Sequence, residues 1–366
     1  MDRFFFTIDI LAACNLRCPS CPVGNYGADR WKGGTMSPDL LRRILKKATG
    51  ECSVTGVALY NWAEPLLHPQ LPEMIHTVHD FGILCDLSSN LNLLKNPEEI
   101  LRENPNSIVI SLSGFTQEIY ARTHVNGDIA KVKENMQRLA AAKRETGANT
   151  NIYIRYHRYR DNLRDEIQMR DFAREQGIGF QSVWAYLMPL EKNLAYLGAA
   201  DNGVTLTDKD HQLIEMLALP LREGSEVARR HRQQPCLLRD EQVTIDYEGN
   251  VMLCCGVYDR EKYGFGSYLD IPIENLQKKR NSHPMCDTCM EQGMHVYGTY
   301  GTGELDAIAV ENVDPTEAHE LNIIRDGRRM RLKSRLSHVG HRLVGPRATA
   351  WLGARYDRLM GLFPGN

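Results

Sequence analysis

Seven of the ten cysteines in this 366-residue chain fall into two groups, Cys14, Cys18 and Cys21 near one end, and Cys236, Cys254, Cys286 and Cys289 far downstream. Cys255 adjoins Cys254, while Cys52 and Cys85 stand apart. The segment Met1-Asp2-Arg3-Phe4-Phe5-Phe6 is too short before Cys14, and carries an acid too early, to read as a secretion signal. Structural disulfides are therefore not expected, and clustered thiols read as metal ligands in a reducing compartment, the cytoplasm.

Cys14, Cys18 and Cys21 lie within eight residues. Three thiolates so spaced can wrap one face of a cubane iron–sulfur cluster, whose four irons each want a ligand. The missing fourth ligand leaves one iron open, which separates a catalytic metal site from a closed structural one. A zinc site completed by His68 or another distant ligand is the alternative on spacing alone. In the second group, twelve residues separate Cys236 from Gly249, four more lead to Cys254, and Cys286-Asp287-Thr288-Cys289 follows. Four thiolates saturate a [4Fe–4S] cluster, and they also suit zinc.

The elements that must position these thiols are legible as alternation. Apolar runs at 4–10, 54–60, 83–89, 107–112, 152–157 and 180–186 read as strands. Helical patterns lie between them at 38–48, 71–81, 97–103, 129–145 and 162–176, the first marked by Ser37 and Pro38. The fold class is α/β, a partial (β/α)6 TIM-like barrel or an open parallel sheet, with its reactive edge at the C-terminal ends of the strands. Residues 1–186 are expected to form that core and 187–235 a helical linker. A small C-terminal auxiliary-cluster domain is expected at 236–297, with a hairpin at 242–255 turning on Glu248-Gly249-Asn250. A link and a basic tail occupy 298–366.

The Cys-x3-Cys-x2-Cys loop placed after the first strand resembles that of radical S-adenosylmethionine (radical SAM) enzymes. Asn61-Trp62-Ala63-Glu64-Pro65 after strand two is similar to the family's Gly-Gly-Glu-Pro segment. Ser88-Ser89-Asn90 and Ser111-Leu112-Ser113-Gly114 close strands three and four. The resemblance implies a cluster on Cys14, Cys18 and Cys21 that binds SAM. It further implies SAM contacts from Asn61, Ala63, Glu64, Ser89, Asn90, Ser111 and Ser113. Period-two alternation puts Tyr153, Arg155 and His157 on one face of strand five, where Arg155 is placed for a SAM carboxylate or a substrate oxygen, or for a helix carboxylate. The second cysteine layout resembles the shortened SPASM, or twitch, domain with one auxiliary [4Fe–4S] cluster on Cys236, Cys254, Cys286 and Cys289.

The family implies reductive cleavage of SAM to a 5′-deoxyadenosyl radical that takes hydrogen from a substrate C–H bond, with flavodoxin or ferredoxin as reductant. With a second cluster as electron acceptor, the expected reaction is oxidation (dehydrogenation) of a sugar-like small molecule. The alternatives are an epimerase using Cys255, Cys85 or Cys52 as hydrogen donor, a ribosomal peptide maturase, and a non-catalytic iron–sulfur or zinc protein. A net charge of −2 gives no sign of nucleic-acid binding, and no run of about 18 apolar residues offers a membrane span. Residues 325–358 carry ten Lys and Arg against two Asp, with Leu332, Leu336, Val339 and Leu343 at helical spacing. That tail reads as a helix packed on the body or as a peripheral contact with an anionic membrane face or a lipid-linked substrate.

Overall fold

A computed structural model describes residues 2–25, 33–199 and 203–323. The basic tail lies outside them. Strand β1 (Arg3–Ile8) buries Phe4, Phe6 and Ile8. The chain then alternates through β2 (Ser53–Ala58), β3 (Cys85–Ser89), β4 (Ser107–Leu112), β5 (Asn151–Arg158) and β6 (Gly179–Trp184). Each strand pairs in parallel with the one before it.

The helix Pro38–Glu51 shows why the intervening segments coil. Ser37 accepts a hydrogen bond from the Leu40 amide at 3.1 Å, proline opens the first turn, and Leu41, Ile44, Leu45 and Ala48 form one buried stripe. Helices at Leu71–His79, Pro97–Arg102, Ile129–Thr146 and Leu163–Glu175 fall where the periodicity places them. They shelter a core shared by the strands.

The hairpin is where tertiary structure adds to that reading. Strand β7 (Gln242–Ile245) pairs in parallel with β1, and β8 (Asn250–Met252) and β9 (Gly264–Ser267) follow antiparallel. One nine-stranded sheet results, in the order β6-β5-β4-β3-β2-β1-β7-β8-β9. The downstream cysteines are thus tied directly to the strand that leads into the first cysteine loop. Past β6, a second apolar core gathers Trp184, Leu187, Leu217, Leu253, Met294 and Tyr297. Cys254, Cys286 and Cys289 pack against it.

Candidate active site

The loop after β1 carries Cys14, Cys18 and Cys21, each half-buried. The Cys18 carbonyl accepts from the Cys21 amide at 3.0 Å, so the last two thiols share one tight turn. The Leu16 amide points at the Cys14 sulfur at 3.4 Å. Burial pushes the Cys14 thiol up to about 11 and holds Cys18 well above the usual range, the latter reinforced by Cys21 and Cys14. Such thiols ionise when a cation takes their charge. His68 does not complete this group. Its Nε2 donates to the Met36 carbonyl at 2.9 Å and its Nδ1 accepts from the Gln70 amide at 3.1 Å, so both ring nitrogens are spent.

Among the described residues, no three His, Cys, Asp or Glu side chains are drawn together tightly enough to grip a single ion. A cubane asks for a wider cage, because each thiolate meets its own iron.

Glu64 is wired to this loop. It is buried, and its carboxylate accepts from the Leu66 amide at 3.1 Å and the Asn90 amide at 2.8 Å. The Asn90 side-chain NH2 donates to Asn15 Oδ1 at 2.9 Å and reaches the Cys14 sulfur at 3.7 Å. Burial raises the Glu64 carboxyl to about 7, against hydrogen bonds from Asn90, Ser89 and Leu66.

Asp9 is the residue that motif reading missed. It stands at the end of β1, buried, and gathers the amides of Asn61, Trp62 and Ala63 at 2.8, 3.0 and 3.1 Å. What Asn61 and Ala63 present to a ligand from their backbone is therefore carbonyl oxygen. Its signal in sequence was an acid in an otherwise apolar strand.

Ser113 is buried, and its hydroxyl meets Thr123 Oγ1 and, at 3.1 Å, His124 Nδ1. Ser111 is half-exposed one pleat earlier. Burial depresses His124 to about 3, with His157 beside it, and depresses His157 to about 4, with Arg155 beside it. Both imidazoles are neutral near pH 7.

On β5 the alternation holds, with Ile152, Ile154 and Tyr156 in the core and Tyr153, Arg155 and His157 on the more open face. Arg155 donates to the Tyr153 hydroxyl at 3.3 Å and to Gln181 Oε1 at 3.5 Å, while its buried Nε has no partner. Among the described residues no carboxylate pairs with it, so the helix ion pair is not formed. Tyr60, Tyr186 and Tyr300 lie within its electrostatic reach. Burial pushes Tyr60 and Tyr186 up to about 12, which keeps both as hydroxyl donors.

The second cysteine group converges. Cys236, Cys254, Cys286 and Cys289 all line one cavity of about 90 Å3, several waters' worth of room, together with Cys255 and Tyr186. Cys236 precedes the short helix Leu237–Asp240, Cys254 follows β8, and the last two sit one turn apart on the helix Pro284–Glu291. Cys255 stands near enough to Tyr60 and Tyr186 to bear on their charge. Trp62 and Tyr258 meet edge to face at 6.1 Å, joining the loop after β2 to the one after Cys255. Cys52 and Cys85 are not brought to the site. They stand at the N-terminal ends of β2 and β3 in the main core, Cys52 pointing its thiol at the Ala48 carbonyl at 3.3 Å. Two polar residues beside the cavity escaped sequence reading. His295 is buried with Nδ1 unpartnered, and Arg280 is fully buried.

Residues 8–167 match the family model for the Radical SAM superfamily. No curated protein matches the chain. Among solved structures, the fold is similar to SuiB of Streptococcus suis bound to S-adenosylmethionine, at 13% identity over 79% of this chain and 68% of that one, with a TM-score of 0.52. SuiB bound to the precursor peptide SuiA matches at 13% over 78% of this chain and 66% of that one, with a TM-score of 0.51. A histidine-tagged anSMEcpe with bound AdoMet matches at 16% over 88% of this chain and 98% of that one, with a TM-score of 0.51. At such identities the likeness is one of fold.

Proposed function

From the premise that this chain carries a radical SAM domain over residues 8–167, we propose that it is a SAM-cleaving enzyme that oxidises a sugar-like small molecule. Cys14, Cys18 and Cys21 would hold the SAM-binding [4Fe–4S] cluster. Cys236, Cys254, Cys286 and Cys289 would hold a second cluster in the small twitch-like segment at 236–297. The observation that carries the reading is the chain of contacts from Glu64 through Asn90 to Cys14, at the C-terminal edge of the parallel strands. It couples a carboxylate and an asparagine, of the kind that read an amino-acid headgroup, to the metal-binding loop. Held by Cys14, Cys18 and Cys21 and reduced by flavodoxin or ferredoxin, that open cluster would supply SAM cleavage and a radical able to take hydrogen from a C–H bond.

The protein's own contribution is placement. Asp9 turns the carbonyl oxygens of Asn61 and Ala63 away from itself, where they can receive an ammonium group. Arg155, with a donor to spare among tyrosine hydroxyls, suits a substrate oxygen. A substrate carbon that gives up a hydrogen atom, then a proton and one electron, ends two electrons oxidised. A second cluster in the cavity lined by Cys236, Cys254, Cys286 and Cys289 would take that electron.

Anaerobic reconstitution followed by reduction with SAM tests this. About eight irons per chain and formation of 5′-deoxyadenosine are expected. Replacing Cys14, Cys18 and Cys21 by Ala should abolish the nucleoside. A chain that binds iron but leaves SAM intact would be a non-catalytic iron–sulfur protein.

A second reading, epimerisation, is favoured by Cys255, a thiol that lines the second cavity together with Tyr186. Burial keeps that thiol protonated, as a hydrogen donor must be. It predicts one solvent deuterium in the product, lost in Cys255→Ala. Because SuiB is solved with a precursor peptide, peptides belong in the substrate screen beside sugars. None of the helices in the described residues is long and apolar enough to cross a membrane. We place the enzyme in the cytoplasm, with the basic tail as its route to a membrane face.

A further inference from the structure

Arg280 lies on the helix Ile273–Asn281, just before the helix that bears Cys286 and Cys289. Its side chain is wholly buried, and its donors are distributed with an evident logic. Nε donates to the Leu253 carbonyl at 2.9 Å, Nη1 to the Gln242 carbonyl at 2.6 Å, and Nη2 to the Leu238 carbonyl at 2.7 Å. Leu253 precedes Cys254 and Leu238 follows Cys236 by two, and both leucines line the cysteine cavity. One guanidinium therefore ties together the three segments that carry the four thiols.

Carbonyl oxygens satisfy its hydrogen bonds and leave its charge uncompensated. Its remaining contact is the neutral amide of Gln277 at 3.4 Å, and among the described residues no carboxylate pairs with it. A buried cation without an anion is costly. The groups within its reach that ligation would make anionic are the sulfurs of Cys254, Cys286 and Cys236. Four thiolates around a [4Fe–4S] core leave a net negative charge that grows on reduction, and charge of this kind sets cluster potentials.

We propose that Arg280 is the internal counter-cation of the second cluster, a positioning residue that fixes its cage and raises its reduction potential. This rests on the second cluster read above, and the test separates the two. The full chain with Cys14, Cys18 and Cys21 replaced by Ala isolates the second group. About four irons should remain, and none would sink the second cluster itself rather than the role of Arg280. In that background the midpoint potential is titrated for Arg280, Arg280→Lys and Arg280→Gln. Lys should stay near the parent, and Gln should fall by at least tenfold in the reduction equilibrium, about 59 mV for one electron. Loss of the cluster in Gln but not in Lys also supports the charge. Equal potentials in all three, or equal loss in Lys and Gln, overturn it. If neither variant folds, trypsin decides on the unsubstituted chain. Cleavage after Arg280 should rise at least tenfold when chelator and oxidant strip the iron, and an unchanged rate overturns the proposal.

Discussion

Replacing Asp9 by Asn tests whether the anchor of the Asn61–Ala63 loop is kept at the expense of stability. The carboxylate accepts from three consecutive amides, Trp62 reaching both oxygens, yet burial still raises its carboxyl from 3.8 to about 6. Desolvation thus outweighs the hydrogen bonds. Between those values the native chain holds a proton that the unfolded chain has released, so stability falls as pH rises through this window. The penalty is complete above about pH 6 and amounts to about 3 kcal/mol at 1.36 kcal/mol per unit. Of this, about 1.4 kcal/mol accrues between pH 5 and 8. Asn does not titrate, and its oxygen still accepts, but its NH2 sets a donor against the Trp62 amide at a cost of about 1–3 kcal/mol. Urea unfolding of both proteins in the same cluster state should show Asp9→Asn gaining about 1.4 kcal/mol on the parent from pH 5 to pH 8. Glu64 titrates in both and cancels. Asp9→Ala, which orphans three buried amides, should lose at least about 3 kcal/mol and weaken SAM binding. A difference between parent and Asn that is flat across this range would refute the reasoning.

On the acid side the sign reverses. His157 is depressed to about 4, so below 6.5 the unfolded chain takes up a proton that the folded chain refuses and stability falls, and His157→Gln should remove about 2.4 kcal/mol of that acid sensitivity in urea titrations at pH 7 and 4.5. Glu166 is wholly buried and accepts from Arg158 at 2.7 and 2.8 Å, Arg170 at 3.1 Å and Ser182 at 2.7 Å. Glu166→Ala should destabilise by about 3–5 kcal/mol in thermal or urea unfolding, since it strands Arg158. Gly293 has φ 69°, and a Cβ there would stand 2.5 Å from the Ala228 and Arg229 backbone. Gly293→Ala should cost at least about 2 kcal/mol in urea unfolding and, on the proposed second cluster, lower the iron count in an iron assay.

The strands and helices of the domain were legible because their signals are local. The apolar run at 107–112, the alternation in 152–157 and the Ser37-Pro38 start follow from side-chain burial, period and caps acting over a few residues. The thiol groups stood out as candidate ligands because metal ligation uses few residue types at short spacing. The Asp9 clamp was not, since its three partners lie more than fifty residues away and offer only backbone amides, which carry no sequence signature. Nor was the exclusion of His68, which depended on which carbonyl and amide meet its ring.

Sequence alone thus singled out the candidate metal ligands, the α/β alternation and the edge at which chemistry is expected, all consequences of residue type and near-neighbour geometry. Tertiary structure decided that β7 docks on β1, that four thiols from three segments share one cavity, and that Cys255 faces it while Cys52 and Cys85 do not. It also placed a buried guanidinium among those segments. These are matters of long-range packing, where burial and the pairing of distant backbone groups select among arrangements that the local pattern leaves equal.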